Sequence, residues 1–328
     1  MPGKPTDWGD RDHRKNLIDS RRHLWRDDTV AMHARWLGLR NGMAMLDVGC
    51  GRGYLGQVWW RFCGPSGTYT GVDVSRKLIG DARISWTGWA PGRRARFVRA
   101  DAGSLPFPDD SFDWTVCQTL LMHMERPGDV LAEMVRVTKP GCVISCNEPD
   151  NYPPMVIRGV DSLPAGTEEE EILRLRVTRH WIEGRRKLGK GDWRIGPKIP
   201  GMMRRLGLED IDIRVNDMVV LIQPPYDAPM MKSALRQIRD GIGNAKRQGD
   251  DWKRDPSMKE FRDCFFAGGG TRYLWRKHLE QVEKDIELRT HALDGQLRAR
   301  RFSSCPSGCF FFSVRGRKPV RRKPLSGA

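Results

Sequence analysis

Between residues 42 and 150, short apolar runs alternate with amphipathic stretches at a regular spacing. Met43-Ala44-Met45-Leu46-Asp47-Val48 reads as a buried strand, and Tyr54–Phe62 as a helix behind a glycine turn. Strands follow over Thr68–Val72, Ala95–Ala100, Phe112–Cys117 and Cys142–Asn147, with helices over Ser75–Trp86 and Pro127–Thr138. Strands that alternate with helices in this way predict parallel βαβ units and a doubly wound α/β sheet. Upstream, residues 10–38 carry Leu17, Leu24, Trp25, Met32, Trp36 and Leu37 at helical spacing, which predicts a helical N-terminal arm. Beyond residue 150 the rhythm loosens. A charged helix is expected over Glu168–Lys187, a short one over Lys198–Leu206 and a β segment over Leu208–Ile222. Helical stretches over Asp227–Phe266 and Tyr273–Arg300 flank the triple glycine 268–270, and a last strand begins at Cys309.

This pattern divides the chain into an arm (1–41), a core (42–222), a helical insertion (223–300), a final core strand (301–318) and a basic tail (319–328). The arm and the insertion are expected to enclose a substrate, with the triple glycine as a hinge. Leu279, Val282, Ile286, Leu293 and Leu297 form an apolar stripe that reads as packing surface.

Composition narrows the possibilities. No window approaches 18 uninterrupted apolar residues, so no membrane span is expected. The first residues are charged and lack an apolar stretch of the secretory type, and the eight cysteines include no CxxC pair. Reduced thiols in a cytoplasmic protein, with no metal site, are the expectation. The net charge of +16 is unevenly placed: residues 1–150 hold 21 Lys+Arg against 18 Asp+Glu, and the remainder holds 36 against 23. Six of these positive charges lie within the last fourteen residues. RNA binding by the basic C-terminal half is therefore kept as an alternative.

The chemistry concentrates at the ends of the first three strands. Gly51-x-Gly53-x-x-Gly56 satisfies the dinucleotide spacing, with Asp73 20 residues beyond Gly53. The strand ends at Val48, however, so the turn begins at Gly49, and the sixth position of that frame is Tyr54 rather than a glycine suited to close helix–strand packing. Asp47, Asp73 and Asp101 stand at three successive strand ends, at the ligand edge of an open α/β sheet. A carboxylate at Asp47 repels a pyrophosphate and suits an ammonium group. Asp73 can accept from two ribose hydroxyls, and Asp101 from an exocyclic amine. Each acid alone could be a turn former or helix cap.

Leu46-Asp47-Val48-Gly49-Cys50-Gly51-Arg52-Gly53, Gly71-Val72-Asp73-Val74-Ser75 and the run from Asp101-Ala102 through Leu105-Pro106-Phe107-Pro108-Asp109-Asp110-Ser111-Phe112-Asp113 resemble the successive motifs of class I methyltransferases. Glu133–Gly141 continues the series, and the likeness is to the branch that includes the ubiquinone/menaquinone-biosynthesis methyltransferases. The resemblance implies a Rossmann-like, mostly parallel seven-stranded sheet with an antiparallel strand at its edge, for which Cys309–Arg315 is the candidate. It implies S-adenosyl-L-methionine as cofactor, bound by Asp47, Gly49, Cys50, Gly51, Asp73, Val74, Asp101, Ala102 and Gln118. The expected reaction is in-line methyl transfer to a small-molecule acceptor, with His123 and Glu148 as catalytic candidates for a base. Nothing in the motifs specifies the acceptor or the oligomeric state.

Overall fold

The computed structural model describes residues 25–90, 95–152, 166–216, 221–228, 231–232, 234–236, 238–240, 243, 253, 255–303 and 310–320. The chain divides into two compact units. One holds Lys4–Asp150, Arg194–Asp217 and Phe311–Ala328, and the other chiefly Asn151–Trp193 and Met218–Phe310. The described part of the expected arm, helix α1 (Asp27–Leu37), belongs to the first unit. Asp27 and Asp28 in its first turn and Arg35 in its last complement the helix dipole, and Gly38 closes it at φ 71°. The remainder of the arm, residues 10–24, lies outside the described residues.

In the first unit the chain continues through β1 (Ala44–Val48), α2 (Tyr54–Trp59), β2 (Thr68–Asp73), α3 (Arg76–Trp89), β3 (Ala95–Arg99), β4 (Phe112–Gln118), α4 (Pro127–Val137) and β5 (Thr138–Asp150). It resumes with α6 (Ile199–Arg205) and β6 (Glu209–Val215), and ends on β7 (Phe310–Arg317). The sheet order is β3-β2-β1-β4-β5-β7-β6. β1 pairs in parallel with both β2 and β4, so the order reverses there, the position at which open α/β sheets generally bind ligands. The seven-stranded, mostly parallel sheet agrees with the expected fold. Behind it Trp59, Trp114 and Tyr69 are almost fully buried, with Trp25 and Trp59 edge-on at 5.1 Å and Tyr69 stacked on Trp86 at 4.9 Å.

The last strand departs from expectation. It runs to Arg317 and pairs antiparallel with β6, and it is β6 that takes the edge. Burial explains the order: Phe311, Ser313 and Val314 on β7 are covered, whereas β6 is largely exposed and carries Glu209, Asp210, Asp212 and Arg214. Charged side chains on an edge strand discourage further pairing. β6 also ends at Val215, short of the long segment expected to Ile222, which is buried in a separate cluster with Tyr226, Leu235 and Phe302.

In the second unit, α5 (Glu168–Lys187) opens with a reciprocal capping box between Thr167 and Glu170 and closes on Arg185, Arg186 and Lys187. The sequence pattern places this helix within the core segment 42–222. The structure groups it with the insertion instead, packed against α7 (Pro256–Ala267). Two glycines make the approach possible: a Cβ on Gly184 would lie 1.6 Å from the Cys264 carbonyl oxygen, and one on Gly268 1.8 Å from that of His180. The imidazole Nδ1 of His180 also lies 3.0 Å from the Gly268 carbonyl oxygen. Gly270 is pressed against the Phe265 ring, and Gly269 turns at φ 93°. The triple glycine expected as a hinge is thus a packed turn. Beyond it come α8 (Arg272–Leu288) and α9 (Asp294–Arg298). Leu293 and Leu297 of the apolar stripe are buried, in keeping with packing surface.

The glycine contacts lead to opposite effects for one substitution at two sites. Gly184→Ala forces a close-packed backbone apart and is expected to destabilise the protein by about 3 kcal/mol. Gly80→Ala within α3 meets open space and is expected to stabilise it by up to about 1 kcal/mol. Urea unfolding of both variants measures this. An unchanged midpoint for Gly184→Ala contradicts the packing argument.

Candidate active site at the carboxyl ends of the strands

β1 gives way to α2 through a turn in which Gly49, Gly51 and Gly53 all have positive φ, at 71°, 53° and 76°. Side chains other than hydrogen are strained there. The turn is tied to the next strand by Asp73, whose Oδ2 accepts from the Gly51 N–H at 2.9 Å and whose Oδ1 accepts from Ser75 N–H at 2.8 Å. Burial pushes the Asp73 carboxyl up, against those two donors. A Cβ on Gly49 would strike Leu120 at 2.8 Å, while one on Gly51 would meet nothing within 4 Å, so the turn is open on the Gly51 side. Cys50 is buried, its N–H donating to the Val72 carbonyl at 2.8 Å. Val74, next to Asp73, leaves an apolar side chain 58% exposed.

Asp47 differs from its expected role. It is 1% exposed, and its Oδ2 accepts from the Tyr69 hydroxyl at 2.8 Å. Burial drives its pKa from 3.8 to about 7, opposed by the Tyr69 hydroxyl and the Gly56 N–H. The carboxyl therefore works inward, joining β1, β2 and α2, and it does not present a bare charge to a ligand. Gly56 makes the close helix–strand contact that the motif reading found wanting at Tyr54: a Cβ there would lie 2.4 Å from the Tyr69 ring.

Just beyond β3, Asp101 is exposed and its Oδ1 accepts from Gly103 N–H at 2.8 Å, a local turn contact; Ala102 beside it is buried. The loop that follows is clamped by Arg136 of α4. Its guanidinium donates to the carbonyls of Leu105 and Phe107, to Asp109 and to Glu133, and Glu133 in turn accepts from Leu105 N–H. Motif spacing marks both residues but says nothing of this clamp.

Where β4 leaves the sheet, the Gln118 Oε1 accepts from the Trp25 indole N–H at 3.0 Å, so the expected arm reaches the site as packed structure. Thr119 follows at φ 48°, a strained setting for a β-branched residue. Glu148 on β5 is fully buried. Its Oε1 accepts from Leu120 and Leu121 N–H at 2.7 and 2.9 Å, and its Oε2 from Met122 N–H at 3.2 Å. Its carboxylate holds the turn Leu121–His123, on which the half-buried His123 stands. The contacts observed for Glu148 are those of a holder of that turn.

The donor set accords with a nucleoside more than with a phosphate: acceptor carboxylates at Asp73 and Asp101, an exposed valine between them, and an open backbone at Gly51. Among the described residues no cluster of His, Cys, Asp and Glu could hold a metal ion, and no helix is long and apolar enough to cross a membrane.

A family model described as a methyltransferase domain matches residues 46–146, the stretch that carries all of these strand ends. Demethylmenaquinone methyltransferase of Anoxybacillus flavithermus is 33% identical over 140 residues, 42% of this chain and 56% of that one. Ubiquinone/menaquinone biosynthesis C-methyltransferase of Stutzerimonas stutzeri is 32% identical over 131 residues, 39% of this chain and 50% of that one. The chain thus spans about half the length of these curated relatives. Among solved structures, a SAM dependent methyltransferase from Aquifex aeolicus is 20% identical, with 65% of this chain and 92% of that one covered at a TM-score of 0.41. Over residues 46–146 the chain is similar to a methyltransferase domain and, through that stretch, resembles the class I enzymes that use S-adenosylmethionine.

The raised Asp47 pKa fixes the sign of a pH effect. The folded protein holds this proton where the unfolded chain has released it, so stability falls as pH rises from about 4 to about 7. The loss is at most roughly 4 kcal/mol. Asp47→Asn removes the titration, and the urea midpoint should then vary less with pH across that window. An unaltered slope in the variant counts against a proton at Asp47.

Proposed function

We propose that this chain transfers a methyl group from S-adenosylmethionine to a small-molecule acceptor. The observation that carries this reading is the joint placement of Asp73 and Asp101 at successive strand ends beside an open glycine turn, within the segment that matches a methyltransferase domain. When bound, the cofactor supplies a methyl group already activated on a sulfonium.

In this reading each residue has one task. Asp73 accepts from the ribose hydroxyls while its contact with Gly51 keeps the turn open. Val74 lies against the flat face of the base, and Asp101 accepts from the exocyclic amine. Gly49, Cys50 and Gly51 bring backbone close to the amino-acid portion, while Asp47 supports that turn from beneath. Ala102 and Gln118 line the remaining wall. The acceptor is held in line with the methyl, an arrangement that supplies much of the rate by orientation and exclusion of water. His123 takes a proton from the acceptor where one must leave, and Glu148 positions the turn that carries it. The RNA alternative drew on the basic C-terminal half. Three of the six positive charges near the end are spent inside the core: Arg315 lies over the Trp36 ring, Arg317 donates to the Gly141 carbonyl, and Lys318 donates to Asp110, Arg136 and Thr138.

Two measurements test this. Calorimetric titration with S-adenosylhomocysteine should give a Kd of micromolar order, and Asp73→Ala should weaken it about 100-fold, as expected for losing two charge-assisted hydrogen bonds. Equal affinity in the variant, or tighter binding of NAD than of the nucleoside, overturns the cofactor assignment. Once a small-molecule screen has found an acceptor, Glu148→Gln should lower kcat while leaving the shape of its pH profile in place, since the residue positions rather than titrates. Disappearance of the acidic limb would instead make Glu148 the base.

A further inference from the structure

The second unit contains a cavity of about 450 Å³ lined by Pro225, Tyr226, Leu235, Leu297 and four cations, Lys232, Arg239, Arg298 and Arg300. Its floor is part of a hydrophobic cluster: Tyr226, Leu235 and Leu297 are buried together with Ile222, Leu293 and Phe302. The Tyr226 hydroxyl donates its proton to the Phe302 carbonyl at 2.7 Å. Residues 231–232, 234–236 and 238–240 are helical, so Lys232, Leu235 and Arg239, at i, i+3 and i+7, share one face. The other two cations come from a distant stretch of sequence, the end of α9 and the turn after it.

Among the described residues, the charge at the rim is mostly uncompensated. Arg298 is paired with Asp294 at 2.8 Å. Arg300, held at φ 54°, donates to the neutral carbonyl of Pro225 at 3.1 Å. Among the described residues, neither Lys232 nor Arg239 has an ion pair. Drawing four cations around one mouth raises the energy of the empty site, and an anion relieves it. A volume of this size lies within the usual range for small-molecule sites, and an apolar floor beneath a charged rim suits a ligand with both kinds of surface.

We propose that this cavity binds a small organic anion, with a phosphate or carboxylate head on Lys232, Arg239 and Arg300 and an apolar body on Leu235 and Leu297. The site stands apart from the methyltransferase reading, because all of its lining residues belong to the second unit and no residue of the strand-end site is used.

The test uses the full-length protein without methyl donor. 1-Naphthyl phosphate and 1-naphthoate are titrated by fluorescence, alongside inorganic phosphate and 1-naphthol. At least one of the two naphthyl anions should bind saturably at one site with a Kd below about 1 mM. Which of them binds tighter distinguishes a phosphate head from a carboxylate head. Inorganic phosphate and 1-naphthol, each offering half of the recognition, should bind at least about tenfold more weakly. The exposed double variant Lys232→Ser/Arg239→Ser should weaken the naphthyl anion about tenfold or more, whereas Arg276→Ser, elsewhere on the same unit, should leave it unchanged. The proposal is overturned if neither naphthyl anion binds, if the double variant binds as the parent does while retaining its thermal midpoint, or if 1-naphthol binds equally well. Binding of an RNA oligonucleotide that the double variant loses, with no binding of either naphthyl anion, also overturns it, in favour of a polyanion.

Discussion

The Gly51 N–H donates to the carboxylate of Asp73, and the organisation of the strand ends follows from that contact. It ties the turn after β1 to the end of β2 across the parallel pair, so two backbone segments otherwise free to diverge are held at one height. Positive φ at Gly49 and Gly51 lets the turn bend sharply enough to reach the carboxylate, and the absence of a side chain at Gly51 leaves its outer side open. The same carboxylate receives Ser75 N–H and thereby orients the start of α3. One acid therefore fastens two pieces of backbone at once, and burial strengthens the electrostatic stake in both contacts.

Beneath that fastener a second carboxyl faces the other way. Asp47 and Tyr69 form a buried donor–acceptor pair, with Gly56 thinning α2 enough for the phenol ring to lie beneath it. A buried carboxyl without such donors carries a large desolvation cost, so the phenol and the glycine belong to the same device. Asp47 thus ties β1 to β2 and α2, while Asp73 holds the turn itself. Across the crevice, Glu148 gathers three backbone donors from the turn after β4. Buried or half-buried acids pinning irregular backbone recur on both sides of the site. Loops that must present groups without sheet hydrogen bonds need such acceptors.

Much of this was legible in the residue pattern. Short continuous apolar runs located β1 through β5, and amphipathic stretches of helical period their helices, to within a few residues, because the central strands are buried on both faces while each helix buries one stripe against the sheet. The strand-end positions of Asp47, Asp73 and Asp101 were legible for the same reason. The direction in which Asp47 points was not, since alternation along a strand does not tell which partner waits beneath a given residue, and its partner Tyr69 lies 22 residues away on β2. Glu148 was read as a candidate base because an acid after a strand looks alike whether it faces solvent or three amides. Gly184 and Gly268 are far apart in sequence, and nothing local marks them as one contact, so the helix 168–187 was grouped with the wrong unit. The place of β7 was hidden too: only pairing with an exposed, charged β6 shows that the last strand is internal.

The distribution of charge links these findings. A basic C-terminal half suggested a polyanion partner, yet the cations of β7 and the residue after it are consumed in cementing the sheet. Lys318 alone donates to the Asp110 carboxylate and to the carbonyls of Arg136 and Thr138, closing the loop that Arg136 clamps from its other side. A lysine so engaged has its three donors satisfied, and little of its charge remains for a ligand in solution. Within the first unit, then, positive groups stabilise the scaffold while acids line the strand ends. In the second unit the balance differs around the cavity, where, among the described residues, Lys232 and Arg239 have no ion pair above an apolar floor. Total charge is a poor guide to partners here, because its meaning depends on which cations are already paired within the scaffold.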